Sequence, residues 1–141
     1  MRVLLVEDEA FISLLIQEAV TNLGCDIVGP TTTIAASIAI LDVEQIDVAL
    51  VDLALNGELC LPVVDVLVDK GIPFAFVTGF GSEMLRGTRH AEVAILSKPF
   101  SLAALTNLVR KLAADAAAPV SERPASPSYS AHAGDSLAGV A

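Results

Sequence analysis

The sequence is poor in positive charge and in aromatic side chains. Its 141 residues carry 8 Lys and Arg against 17 Asp and Glu, a formal net charge of −9, and aromatic residues make up 4% with no Trp. A chain this acidic is repelled by phosphate backbones, and it offers few rings on which bases could stack. We therefore expect no nucleic acid among its partners.

Cysteines and long hydrophobic runs are also scarce. Cys25 and Cys60 are far apart in sequence and form no C-x-x-C motif, so we expect reduced thiols rather than a zinc site. No stretch approaches the ~18 consecutive apolar residues of a membrane span, and the apolar run at the N-terminus is too short for a signal peptide. These features predict a cytoplasmic protein with no membrane partner.

Hydrophobic residues are abundant, at 54%, and they follow two alternating patterns. Short continuous apolar runs predict strands that are buried on both faces, at 3–6, 26–29, 48–51, 74–77 and 93–96. Apolar residues at helical spacing predict helices at 10–23, 33–41, 61–70, 82–90 and 101–113. The alternation predicts an α/β fold, a doubly wound parallel sheet of five strands with five helices.

The composition changes after about residue 113 to mostly Ala, Ser, Pro and Gly. Such a segment has too few large apolar groups to form a core. We predict one domain over residues 1–113 and a disordered tail over residues 114–141.

Acidic, hydroxyl and basic side chains follow the predicted strands at their carboxyl ends. They are Glu7 and Asp8 after the first strand, Asp52 after the third, Thr78 after the fourth and Lys98 after the fifth. The carboxyl ends of parallel strands meet at one edge of the sheet, so we expect these side chains to cluster. Clustered carboxylates repel each other unless a hard cation such as Mg²⁺ (or Mn²⁺) lies between them.

The same cluster suggests phosphoryl chemistry. Asp52 directly follows a buried run and is a candidate nucleophile, since carboxylates form aspartyl phosphates. Thr78 and Lys98 could stabilise the charge of the transferring group. Each residue alone is explained as well by a helix cap, a turn or a surface charge, and only their joint placement favours a functional site.

Four motifs in this order resemble those of bacterial two-component response-regulator receiver domains. They are LVEDE at 5–9, VD at 51–52, VTG at 77–79 and LSKPF at 96–100. The resemblance covers residues 1 to about 113 and implies the flavodoxin-like receiver fold with strand order 2-1-3-4-5. It also implies that Asp52 accepts a phosphoryl group from the phosphohistidine of a sensor histidine kinase.

The resemblance further assigns roles around the cluster. The implied metal ligands are Asp8, Asp52, Glu7 through a water, and the main-chain carbonyl of Ala54. Thr78 and Lys98 would contact the phosphoryl group. The peptide bond between Lys98 and Pro99 is typically cis in this family.

A narrower resemblance concerns the segment PFAFVTGFG at 73–81. It is similar to the PFxFATGUG signature of FATGUY receivers, from which it departs at Val77, and these receivers are often served by HWE or HisKA2 histidine kinases. The subgroup lacks the usual switch aromatic on the fifth strand, and Ile95 stands at that position. Phe80 or a loop rearrangement would then act as the switch, with residues 80–92 mobile until phosphorylation orders them.

These features predict a single-domain response regulator, since no output domain is expected in the tail. It would be a monomer or weak dimer that signals by contact with a downstream protein or passes phosphate to a phosphotransfer partner, without being an enzyme. The alternatives are a pseudo-receiver acting without phosphorylation, an aspartyl-nucleophile phosphohydrolase and a flavodoxin-like cofactor binder. The phosphohydrolase would usually carry an acid where Ala54 stands.

Other residues receive structural interpretations. His90 and His132 have no partner at metal-ligand spacing and are expected to be exposed. Glu9 has two interpretations, a second-sphere carboxylate of the cluster or an acidic residue that stabilises the N-terminus of the first helix, and the second is favoured. The large apolar side chains expected in the core include Phe11, Leu15 and Phe100.

Overall fold

The computed structural model describes residues 1–79, 82–90 and 93–118. Five parallel strands form its main sheet: β1 (Arg2–Val6), β2 (Asp26–Thr31), β3 (Val48–Val51), β6 (Phe74–Thr78) and β7 (Ile95–Ser97). Their order across the sheet is β2-β1-β3-β6-β7. The predicted α/β fold and its strand order are therefore confirmed.

The described residues contain four α-helices and a small hairpin outside the main sheet. The helices are α1 (Ala10–Asn22), α2 (Ile34–Val43), α3 (Leu61–Asp69) and α4 (Leu102–Ala117). The hairpin pairs β4 (Ala54–Leu55) with β5 (Glu58–Leu59) in antiparallel fashion. None of the described helices is both long enough and apolar enough to cross a membrane.

The sheet separates two apolar cores. Alternate strand residues such as Leu4 and Phe76 face one core, which they share with α2 and α3. Their neighbours, such as Leu5 and Ala75, face the other core, which they share with α1 and α4. Both faces of β1, β3 and β6 are covered, which explains why the strand sequences are continuously apolar rather than alternating.

Three predicted elements differ from the structure. The helix predicted at 82–90 is a 3₁₀ turn at Ser82–Leu85, and Gly87 then adopts φ +80°, which a right-handed helix cannot contain. β2 continues past residue 29, where the predicted strand ends, to Thr31. α4 extends through residues 114–117, which were assigned to the tail, because Ala-rich sequence favours helix.

Two side-chain predictions are wrong and one prediction remains open. Phe11 is 71% exposed because it lies on the outer face of α1, whereas Ile16 and Val20 face the core. His90 is buried rather than exposed, for reasons given below. The tail from residue 119 onward, including His132, lies outside the described residues, so the domain division stays a prediction.

Candidate functional site

The carboxyl edge of the sheet carries the candidate site. The chain leaves β1 at Glu7 and leaves β3 at Asp52, and the Asp52 N–H donates to the Val6 carbonyl at 2.8 Å. The Lys98 N–H, directly after β7, donates to the Thr78 carbonyl at 2.8 Å. These main-chain bonds continue the strand pairing, so the sheet itself holds the predicted residues next to each other.

Lys98 is the centre of the charged cluster. Its ammonium Nζ lies 3.0 Å from Glu7 Oε1, 2.6 Å from Glu9 Oε1 and 3.1 Å from Asp52 Oδ2. The Lys98 side chain is 12% exposed, and those of Glu7 and Asp52 are 1% and 7% exposed. The cation therefore links three segments, those that follow β1, β3 and β7.

Glu9 is a further member of this cluster, and it takes the second-sphere role that was the less favoured of its two interpretations from the sequence. It occupies the N-cap position of α1, but its side chain makes no capping hydrogen bond and reaches Lys98 instead. Its acidic character two positions after Glu7 is visible in the sequence. The contact of its side chain with Lys98, the residue directly after β7, is not visible in the sequence.

Three carboxylates in the cluster are close enough to share a cation. One oxygen from each of Glu7, Asp8 and Asp52 lies within 4.8 Å of the others. Glu7 Oε1 is buried and has no hydrogen-bond partner among the described residues, although Lys98 Nζ lies nearby. A buried carboxylate oxygen that has an ammonium nearby but no well-aligned hydrogen bond, beside two further carboxylates, fits a hard divalent cation such as Mg²⁺.

The charged states follow from burial and from the neighbouring charges. Burial raises the pKa of Glu7 to about 7, and the negative charge of Asp52 adds to this rise. The hydrogen bond from the Glu9 N–H and the contact with Lys98 act in the opposite direction and lower the pKa. Burial alone would lower the pKa of Lys98. Hydrogen bonds to Glu9, Glu7 and Asp52 outweigh that effect and raise it, so the ammonium stays charged.

A hairpin turn supports Asp8. The Asn56 N–H donates to Asp8 Oδ2 at 3.0 Å, and the Asn56 side-chain amide donates to the Thr32 carbonyl at 2.9 Å. Asn56 and Gly57 have φ values of +51° and +84°, the conformation that Asn-Gly pairs favour in two-residue hairpins. An Asn-Gly pair in a sequence is typical of such a turn, whereas the contact of this turn with Asp8 has no signal in the sequence.

The remaining predicted site residues are Ala54 and Thr78 at this edge of the sheet, and Ile95 within β7. The Ala54 N–H donates to Asp52 Oδ1 at 3.2 Å, and Thr78 is fully buried at the end of β6. Ile95 is buried in β7, and the Lys98–Pro99 peptide bond is cis. Phe80, the predicted switch residue, lies outside the described residues, as do 81, 91 and 92.

His90 forms a separate contact with α3 and with Phe74, the first residue of β6. Its Nε2 lies 3.1 Å from Asp65 Oδ1 on α3, and its ring meets Phe74 edge-on with centroids 6.3 Å apart. The carboxylate supplies the polar partner that a buried imidazole requires. This contact explains why the residue is buried and not exposed as predicted.

Comparisons with known proteins agree with this geometry. The sequence profile of the response regulator receiver domain matches residues 3–110. No curated protein matches the sequence.

Several solved structures are similar. SdrG from Sphingomonas melonis Fr1 is 32% identical with a TM-score of 0.70, covering 80% of this chain and 96% of that one. The PhyR receiver domain from Erythrobacter litoralis is 27% identical with a TM-score of 0.75, covering 84% and 93%.

A longer protein also matches over part of its length. The response regulator PhyR from Brucella abortus is 29% identical with a TM-score of 0.71, and the match covers 79% of this chain but only 46% of PhyR. The chain thus spans about half of that protein. Because the family profile covers most of the sequence and the fold and site agree with it, the chain belongs to the response regulator receiver domain family.

Proposed function

We propose that this receiver accepts a phosphoryl group on Asp52 from the phosphohistidine of a sensor histidine kinase, in an Mg²⁺-dependent reaction. Receiver domains are generally phosphoacceptor switches rather than enzymes. The observation that carries the proposal is the buried contact between Lys98 and Asp52 beside two further carboxylates. This arrangement combines a nucleophile, a cation and an anionic pocket at one edge of the sheet.

The chemistry follows from the acceptor carboxylate. An Asp52 oxygen forms a bond to phosphorus while the bond between phosphorus and the imidazole nitrogen breaks, and its electron pair stays on the imidazole. The product is an acyl phosphate. The Ala54 N–H holds Asp52 Oδ1, and Lys98 lies at Oδ2, so both carboxylate oxygens are oriented before transfer.

Hydrogen-bond donors for the phosphoryl oxygens and ligands for Mg²⁺ complete the proposed site. Lys98 and the Thr78 hydroxyl would donate to the oxygens of the incoming group. Asp8, Asp52, the Ala54 carbonyl and, through water, Glu7 would hold Mg²⁺. The bound ion would supply positive charge that offsets the carboxylates and the transferring group.

We also propose that the receiver belongs to the FATGUY subgroup and is served by a kinase of the HWE or HisKA2 type. The support is the segment at 73–81 and the aliphatic Ile95 at the position of the usual switch aromatic. Signalling would then leave by contact with a downstream protein. Phosphotransfer from an HWE kinase that is faster than from a HisKA kinase of the same organism would support the assignment, and the reverse preference would contradict it.

The phosphoacceptor proposal is tested with acetyl phosphate. The protein is incubated with acetyl phosphate and Mg²⁺, the added mass of one phosphoryl group is measured, and peptide mapping locates it. We expect modification at Asp52, no modification in Asp52→Asn, and none when Mg²⁺ is chelated. Equal modification of Asp52→Asn, or none of the wild type, would contradict the proposal.

A further inference from the structure

We propose that Glu9 restrains Lys98 in the unphosphorylated receiver and that an incoming phosphoryl group displaces it. The inference rests on the proposed function, because it concerns how Lys98 becomes available to the phosphoryl oxygens. Glu9 is thereby a positioning residue that sets the resting state of the lysine.

The first argument is the number of donors on Lys98. A lysine ammonium has three N–H donors and no acceptor. Its contacts are with Glu9 Oε1 at 2.6 Å, Asp52 Oδ2 at 3.1 Å and Glu7 Oε2 at 3.2 Å. All three donors are therefore engaged, and a phosphoryl oxygen can bind Lys98 only if one carboxylate gives way.

The second argument is which carboxylate gives way. The Glu9 side chain is 59% exposed, whereas those of Glu7 and Asp52 are 1% and 7% exposed. A carboxylate that leaves Lys98 loses its partner, and only an exposed one is immediately rehydrated. Glu9 is therefore the contact that costs least to break, although it is the shortest of the three.

The third argument is that Glu9 can move without disturbing the fold. Its backbone N–H is fixed by Glu7 Oε2 at 3.0 Å, so the main chain before α1 is held independently of the Glu9 side chain. That side chain makes no capping hydrogen bond to the helix. Its rotation away from Lys98 leaves α1 intact.

The test compares four proteins: the wild type, Glu9→Gln, Glu9→Asp and Glu18→Gln. Glu9→Gln removes the ionic contact, and we expect the rate of Asp52 phosphorylation by acetyl phosphate to rise about two- to five-fold, the range that exposed ion pairs contribute. In that reaction an Asp52 oxygen bonds to phosphorus as the bond from phosphorus to the acetyl oxygen breaks and its electron pair leaves with acetate. Glu18→Gln makes the same charge change at an exposed position of α1, and we expect no change in rate.

Glu9→Asp distinguishes two reasons for a faster reaction: loss of the Glu9–Lys98 contact, and weaker electrostatic repulsion of the anionic phosphoryl donor. It keeps the negative charge but shortens the side chain by one methylene, and an Asp at an N-cap is drawn to its own helix. We expect it to behave like Glu9→Gln. If it behaves like the wild type, repulsion and not the contact controls the rate, and the proposal is wrong.

Binding of beryllofluoride with Mg²⁺, followed by ¹⁹F NMR, provides a second readout. We expect Glu9→Gln to tighten binding by the same factor by which it speeds phosphorylation. A merely structural role would change urea unfolding without changing this affinity. The proposal is overturned if Glu9→Gln binds beryllofluoride no more tightly than the wild type, or if it is phosphorylated no faster. Failure of the proposed function is a different result, because the wild type itself would then stay unmodified.

Discussion

At the scale of single residues, Glu7 makes stability depend on pH. Its folded-state pKa, about 7, lies above its usual value of 4.5, so the folded protein binds this proton more tightly than the unfolded chain. The stabilisation is complete below pH 4.5 and is lost as the pH rises through 7. For the metal-free protein, we predict that urea unfolding will show a loss of up to about 3 kcal/mol over this interval.

Glu7→Gln isolates that effect. Glutamine has the same shape and does not titrate, so the variant should lack this part of the pH dependence. Between pH 5 and pH 8 we expect the unfolding free energy of the wild type to fall progressively relative to that of the variant, so that the comparison favours the variant at high pH. Parallel curves would show that Glu7 is not protonated in the folded protein.

His90 gives a second prediction at this scale. Asp65→Ala would leave the buried His90 Nε2 without its acceptor, which costs about 1–3 kcal/mol. We predict faster amide hydrogen exchange at Thr88 and His90, because the loop loses its attachment to α3. Asp69→Ala is the control: Asp69 is 78% exposed and lies 3.8 Å from Arg89, so exchange at these amides should stay the same.

At the scale of elements, Gly29 controls how β2 lies against β1. A Cβ at Gly29 would come within 2.8 Å of the Leu5 carbonyl oxygen and the Thr31 nitrogen, at φ +108°. The Thr31 carbonyl in turn accepts the Glu7 N–H at 3.0 Å, so this contact reaches the edge of the site. Gly24 serves as the control, because it has φ +82° and a Cβ added there would meet no atom of the described residues within 4 Å.

We predict that Gly29→Ala destabilises the protein more than Gly24→Ala. The control carries only the cost of a left-handed alanine, about 1 kcal/mol, whereas Gly29→Ala adds a backbone clash. Chemical unfolding of both variants measures the difference. Equal losses would mean that β2 can shift away from β1 without cost.

Most elements were predictable because their signals are local. Continuous apolar runs identified the buried strands, and the residues directly after them identified the edge where the charged groups meet. The 3₁₀ turn at Ser82–Leu85 was not predictable, because a single glycine can be tolerated inside a helix as well as end one. The contacts of Glu9 with Lys98 and of His90 with Asp65 join residues far apart in sequence, and they depend on side-chain reach that no local pattern encodes.

At the scale of the whole molecule, Mg²⁺ should stabilise the fold. The chain carries a formal charge of −9, and three of its carboxylates lie within one small cluster. A ligand that binds only the folded state adds about 1.4 kcal/mol for each tenfold rise in concentration above its Kd. We predict that the melting temperature rises with Mg²⁺ concentration.

Asp8→Asn is the control for this stabilisation. It removes one carboxylate charge from the cluster while retaining an oxygen that can accept the Asn56 N–H. We expect its melting temperature to respond to Mg²⁺ no more than it responds to an equal ionic strength of NaCl. A full Mg²⁺ response in this variant would place the ion elsewhere.

The two edge strands of the main sheet, β2 and β7, limit how copies of the protein can associate. On one side lies β2, where Pro30 has no N–H to offer a further strand, and on the other lies β7, with only three residues. A proline within an edge strand and a very short edge strand both weaken the pairing of one sheet with another, which is the contact that nucleates cross-β stacking between molecules. The receiver should therefore resist fibril growth through its sheet even when concentrated.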